Sequence, residues 1–419
     1  MITAQQLDHM THVADPPLDD LIERWAADEN GVETVAALFK EIHTSERLSH
    51  QIIDQLLTNK LINTDIAEFF LTRSVLPDLP WIQKEEIVTG GEFFRERGLM
   101  AFVGLAFASL PACYCWDTEA RVLTTTGRLS QPGRIPRRIP ETAQFVLDIG
   151  TKDAFEPDGV GIQAAHKIRL MHSCIRYLLI NDPAAVSVNP NKRYLKPWDV
   201  ERFGPPISQA YLAATLLTFH QVILHSLKKL SLRVSPAQQA AYIHRWNVTG
   251  WFLGIEESTL GQLTTMQDTQ ALHALVMHRW RHKTVSAQDL SATLIEYVRT
   301  NVIEGALGGL WNPLVVVPPV LTRYLSGKDT SKALNLKLNV FQKLAYFPVV
   351  FFTRVVGFLD NFRLFRRMTV ALTRYATRHL WGFVKEKQKQ SPDPDGRARG
   401  VIVPAEFESE WRLEFKAES

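Results

Sequence analysis

The chain has 419 residues, 46% of them apolar and 22% charged, and a net charge of +3 at neutral pH. That is ample material for a buried core, and it excludes disorder for all but the ends. A near-balanced charge without a basic stripe argues against a nucleic-acid partner.

Periodicity predicts helices at 18–27, 32–42, 45–60, 63–74, 93–110, 140–150, 159–180, 207–231, 236–255, 267–281, 286–302, 335–357 and 364–385, and strand signals are weak throughout. Ser235 followed by Pro236, with Gln238 three residues after the serine, reads as an N-cap with proline at the first helical position. The expected fold is all-α: a single, mostly helical domain over 1–385. A polar tail over 386–419 follows, introduced from Lys385 to Gly400 by Lys, Gln, Pro, Asp, Arg and Gly.

The uncharged run Gly98–Trp116 is 19 residues long and contains Ser109, Pro111 and two glycines. A membrane-spanning helix needs roughly 20 apolar residues, so this run is read as a core helix and no stable membrane insertion is expected. The aromatics between Phe341 and Phe383 are read as core, with an apolar channel as the alternative. The N-terminus lacks the basic and continuous apolar regions of a secretory leader. A cytoplasmic location is expected if Met1 is the native start, and an extracellular one if a leader has been removed.

Familiar chemical signatures are absent: there is no Gly-rich phosphate loop, His-Glu-x-x-His, Gly-x-Ser-x-Gly or paired Cys-x-x-Cys. Cys113, Cys115 and Cys174 allow one disulfide and require none. His278 and His282 stand four apart, but Arg279 and Arg281 lie between them and no third ligand is evident, so they read as solvated histidines.

More informative is the helix around His172. Ala165, Ile168, His172, Ile175 and Leu179 recur every three or four residues, which places the imidazole on the apolar face; His166, Arg169 and Arg176 form the other face. A histidine so placed either hydrogen-bonds inside the core or ligates a metal through one ring nitrogen. The preceding loop, Gln131 to Pro140, is held extended by three prolines and carries Arg134, Arg137 and Arg138. Pro140 then opens a helix with Glu141 in its first turn, where the helix dipole favours a carboxylate, and Thr142 on the side of Phe145, Val146 and Ile149.

Three segments together carry a family resemblance: Arg138-Ile139-Pro140-Glu141-Thr142, the run Ile168 to Arg176 centred on His172, and His244 to Ile255, beginning His-Arg-Trp-Asn. Over approximately Leu99 to Ile255 the chain resembles the latex clearing protein (rubber oxygenase) family of haem-containing oxygenases. The resemblance implies a globin-like helical domain with additional helices around a haem pocket, and a non-covalent haem b with His172 as the iron ligand and Arg138 and Thr142 in that pocket. It also implies dioxygen as co-substrate, and a hydrophobic polyisoprene or isoprenoid substrate whose C=C bonds are cleaved to aldehyde and ketone ends. The absence of Cys-x-x-Cys-His agrees with haem b rather than covalent haem.

Glu141 departs from the family pattern, in which lysine often stands at that position. A carboxylate there could exchange a proton with an allylic C–H. Glu119 is a second candidate acid, and His220, His225 and His244 are further candidates for pocket walls. Two rival readings remain: a related haem oxygenase acting on a smaller intracellular isoprenoid or lipid, and a non-catalytic membrane-associated helical protein with Gly98–Trp116 inserted.

Overall fold

The structure, a computed structural model, describes residues 1–28, 31–116, 122, 138–182, 197–300 and 313–365. Glu119, the loop 131–137, the expected helix 364–385 beyond residue 365 and the tail 386–419 lie outside the described residues, as does the side chain of Arg138. The architecture is all-helical. Among the described residues the one extended pairing is an isolated bridge between Trp116 and Arg281.

Five helices build the N-terminal region: α1 (Ala4–Met10), α2 (Pro16–Asp28), α3 (Val32–Thr44), α4 (His50–Thr58) and α5 (Thr64–Leu71). Their starts follow from side-chain caps, since Thr3, Ser49 and Asn63 each accept from a backbone N–H two or three residues into the helix. Next comes α6 (Lys84–Gly104), which continues through a π turn at Leu105–Ser109 into Leu110–Tyr114. It begins nine residues before the expected position, running straight through Gly90 and Gly91. A Cβ at Gly90 would stand 2.4 Å from the Ala241 carbonyl oxygen, so the glycine is what lets two helices touch backbone to backbone.

The central helices are α7 (Arg138–Gly150) and α8 (Val160–Asn181). The expected helix 207–231 divides into α9 (Gln209–Phe219) and α10 (Gln221–Lys229), with His220 at φ −120° and ψ −61° between them. No proline or glycine marks that break in the sequence. Then follow α11 (Pro236–Phe252), opened by the Ser235/Gln238 capping box, α12 (Met266–Trp280) and α13 (Val285–Tyr297). Last are α14 (Val317–Ser326) and α15 (Val340–Leu359), the latter opened by an Asn339/Gln342 capping box.

The buried core is a single cluster running from Ile2 to Leu334. Gly98–Trp116 lies inside it, with Leu105, Phe107, Ala108, Ala112, Tyr114 and Trp116 all buried. The run is thus packed as a core helix, although the helix that contains it, Lys84–Tyr114, is long and apolar enough to cross a membrane. The expectation for the later aromatics is corrected in the opposite direction: Phe341, Phe347, Phe351 and Phe352 of α15 are exposed, not core. His278 and His282 do not share a helix face, because α12 ends at Trp280 and Arg281 is extended. All three cysteines are free.

Candidate functional site

The candidate site is built on α7 and α8, which pack directly on one another. Fourteen of the 22 residues of α8 are buried, so this is an interior helix on every side. The face expected to meet solvent is closed by charge pairing. Arg169 donates Nε and Nη2 to the Asp15 carboxylate, each at 2.7 Å. Arg176 donates to Asp19 from Nε and Nη2, and Ser173 Oγ donates to the same carboxylate at 2.6 Å. Two acids at the start of α2 thus neutralise two arginines inside the protein, and α8 is held in a fixed rotation. Sequence periodicity could not show this, since the partners lie about 150 residues apart.

The opposite side of α8 is less completely covered at mid-helix. Ile168 and His172, one turn apart, are half-buried while Ala165, Ile175 and Leu179 around them are buried. His166, one helical turn and a half before His172, is enclosed between the rings of Phe70 and Phe252 at 5.1 and 5.6 Å. Burial pushes its pKa down to about 3, so it is a neutral packing residue.

In α7 the two ends differ. Its C-terminal half is fixed by guanidinium groups: Arg245 donates Nε and Nη2 to the Ile149 carbonyl at 2.9 and 2.6 Å, Nη2 to the Thr151 carbonyl at 2.6 Å, and Nη1 to the Ile87 carbonyl of α6 at 2.7 Å. Arg95 adds a bond to the Gly150 carbonyl, and Arg47 clasps Asp148 with two bonds of 3.0 and 2.7 Å. These donors occupy carbonyls that a helix end leaves without partners. In the N-terminal half, which begins at Arg138, Glu141 and Thr142 are half-buried. Phe145, one turn beyond both, meets Phe219 and Trp246 edge-on with centroids 6.1 Å away, and Phe219 stacks on Trp246 at 4.9 Å.

Phe219 connects this aromatic group to α6. Ser109 Oγ donates to the neighbouring Thr218 carbonyl at 2.7 Å, and Cys113 Sγ lies 3.4 Å from Thr218 Oγ1. Along the same stretch Val103, Ala106, Leu110 and Cys113, spaced three or four apart, are half-buried apolar residues. The π turn at Leu105–Ser109 falls within this row, and such turns recur at functional sites.

The structure therefore places His172 on one and Glu141 and Thr142 on the other of two packed helices, all three half-buried. The histidines considered as pocket walls separate into three kinds. His244 is a capping group: its Nε2 accepts the Gln83 N–H at 3.1 Å at the start of α6. His225 is exposed on α10. His220 is completely buried, neither ring nitrogen has a hydrogen-bond partner among the described residues, and burial pushes its pKa down to about 3. What sequence reasoning missed is Arg245, whose neighbours in His-Arg-Trp-Asn were visible but whose task of holding α7 was not.

Comparison with known proteins places this arrangement in a family. Residues 95–360 match the catalytic domain described as "ER-bound oxygenase mpaB/B'/Rubber oxygenase". A rubber oxygenase from Streptomyces sp. (strain K30) is 25% identical over 337 residues, 79% of this chain and 72% of that protein. The solved structure of latex clearing protein in its closed state superposes with a TM-score of 0.63 at 22% identity, covering 94% of both chains, which shows the shared all-helical fold. The chain thus belongs to the family of mpaB-type and rubber oxygenases, and it is an enzyme of the oxygenase class.

Proposed function

We propose that the protein is a haem b-dependent dioxygenase that cleaves C=C double bonds of cis-1,4-polyisoprene internally, giving oligo-isoprenoids that end in an aldehyde and a ketone. The observation that carries this reading is the half-buried His172 on an interior helix, packed against the helix that carries Arg138, Glu141 and Thr142. The residues present fit the group: a half-buried imidazole on a largely buried helix, and a half-buried apolar row at Val103, Ala106, Leu110 and Cys113 suited to a hydrocarbon chain. When bound, the haem would supply the activation of dioxygen. His172 would hold the iron, Arg138 would pair with a propionate, and Thr142 would offer a hydroxyl to the pocket. Glu141 would hold or move a proton at its carboxylate. The Asp15–Arg169 and Asp19–Arg176 pairs fix the rotation of α8 that presents His172, and Arg245 fixes α7.

Purified protein is expected to show a Soret band, to yield a pyridine haemochrome of haem b, and to lose both in His172→Ala while its helical circular dichroism persists. With latex emulsion under labelled dioxygen, products are expected to form a ladder spaced by one isoprene unit, with label in both carbonyl ends. Glu141→Gln should keep haem and lose turnover by about a hundredfold. Colourless protein would sink the haem reading. Haem-loaded protein that consumes oxygen with a small isoprenoid or lipid alkene but not with latex would leave the related reading, a haem oxygenase for a smaller substrate, in its place; the breadth of the family description supports that second reading.

A further inference from the structure

One helix has a face that the fold does not cover. Val340, Leu344, Phe347, Phe351 and Phe358 recur at helical spacing along α15, with Phe341 and Phe352 beside them, and these seven side chains are 45–79% exposed. At ~200 Å² per aromatic side chain, the patch is on the order of 900 Å², above the roughly 300–600 Å² of the largest patch on an ordinary monomer. The helix is long and apolar enough to cross a membrane, yet it is docked along its length. It packs on α14, and Gly357 sits against the Leu230 carbonyl so closely that a Cβ would stand 1.9 Å from the oxygen. Arg354 Nε donates to Ser231 Oγ at 3.1 Å, and Asp360 pairs with the buried Arg97 of α6. So held, α15 can meet a lipid surface only sideways.

Charge singles out the kind of surface. The described stretch 328–365 contains six Lys and Arg against two Asp and no Glu, a net charge of +4, whereas the whole chain carries +3 and the remainder therefore −1. Lys332, Lys337, Lys343, Arg354 and Arg363 are exposed. By helical spacing Lys343 and Arg354 fall at the margin between the docked face and the apolar stripe, where basic side chains reach headgroups while their neighbours enter the acyl layer.

We propose that α15 and its basic flanks form a docking face for a lipid bilayer carrying anionic headgroups, with the phenylalanine stripe lying in the plane of the interface. A second copy of the chain fits this face poorly, because a two-fold contact would bring +4 against +4. A cover from the chain's own end would have to come from the acidic stretch 405–418, whose Phe407, Trp411 and Phe415 are three aromatics for a stripe of seven apolar residues. The proposal is independent of the haem reading, since it concerns a surface and not the pocket.

The test is co-sedimentation of the full chain with vesicles of phosphatidylcholine alone and of phosphatidylcholine with phosphatidylglycerol. Binding is expected on the anionic vesicles, about tenfold weaker on the zwitterionic ones, and reduced by raised salt. Phe347→Ser with Phe351→Ser should weaken it tenfold or more with unchanged circular dichroism, and Lys337→Gln with Lys343→Gln should lower the salt dependence. Four outcomes would overturn the proposal: no binding to anionic vesicles; equal binding to both vesicle types; a dimer in solution that the double Phe variant abolishes; or binding that emerges only in Trp411→Ser with Phe415→Ser, which would assign the face to the chain's own end.

Discussion

Two helices of this protein, α6 with its continuation to Tyr114 and α15, are alike in apolar character and opposite in fate. Both are long and apolar enough to cross a membrane, but α6 threads the core and α15 is almost entirely open on one side. The difference lies in what the neighbours offer. On α6 the Ile87 carbonyl receives Arg245, Ser109 bonds to α9, and Arg97 pairs with Asp360. On α15 the polar ties gather at one end, through Arg354, Asp360 and Asn361. Hydropathy and length set what a helix can enter; the donors and acceptors that reach its sides set what it does enter.

The largest expected effect breaks the interior half of this comparison. Arg245 is completely buried and makes four hydrogen bonds to three carbonyls, joining α6, α7 and α11. Arg245→Ala leaves those carbonyls without partners in the core, at a cost of about 3–5 kcal/mol. Urea unfolding is expected to show that loss, and a change below about 1 kcal/mol would mean that water replaces the guanidinium there.

The next effect depends on pH. His166 and His220 are buried with their pKa values pushed down to about 3 by desolvation, whereas in the unfolded chain an imidazole titrates near 6.5. Below about pH 6.5 the unfolded state therefore binds more protons than the folded one. Stability is fully present above that pH and falls as pH is lowered, approaching about 1.4 kcal/mol per unit for each histidine. By pH 5 each contributes a loss of about 2 kcal/mol. His273, pushed down to about 4 by burial, adds a third contribution over the same range, so His220→Phe, which keeps a ring in the site, should remove about a third of the slope between pH 6 and pH 4. An unaltered slope would show that His220 is protonated in the folded state. No histidine lies in α15, so the protection of its amides against local opening should not follow this profile.

Much of this fold was legible because local rules govern it. The Ser235–Pro236–Gln238 start, the helix at 159–180 and the helix at 140–150 are set by caps, proline and a 3.6-residue repeat, and each is found within about two residues. What was not legible depended on long-range pairing. Arg169 and Arg176 looked like a solvent face until Asp15 and Asp19 closed it. The break at His220 has no local cause, and the phenylalanines of α15 read as core because a periodic apolar stripe carries no mark of what it will meet. The site shows the same division. His172, Glu141 and Thr142 could be named from helix position and resemblance, but the guanidinium lock on α7 could not.

The smallest expected effect completes the comparison from the exposed side. In α6, truncating a buried phenylalanine such as Phe94 removes packing on Phe102 and Tyr242 and should cost about 3–5 kcal/mol. In α15, Phe347 and Phe351 have most of their surface in water already, so Phe347→Ser with Phe351→Ser forfeits little packing. Serine is a slightly poorer helix former, by a few tenths of a kcal/mol per residue. Relief of exposed apolar surface acts in the opposite direction on solubility. The double variant should therefore unfold within about 0.5 kcal/mol of the parent in urea and stay soluble at higher concentration. A loss of 2 kcal/mol or more would mean that the stripe is packed against protein in solution, and the contrast between the two helices would then reflect not burial against exposure but two different protein partners.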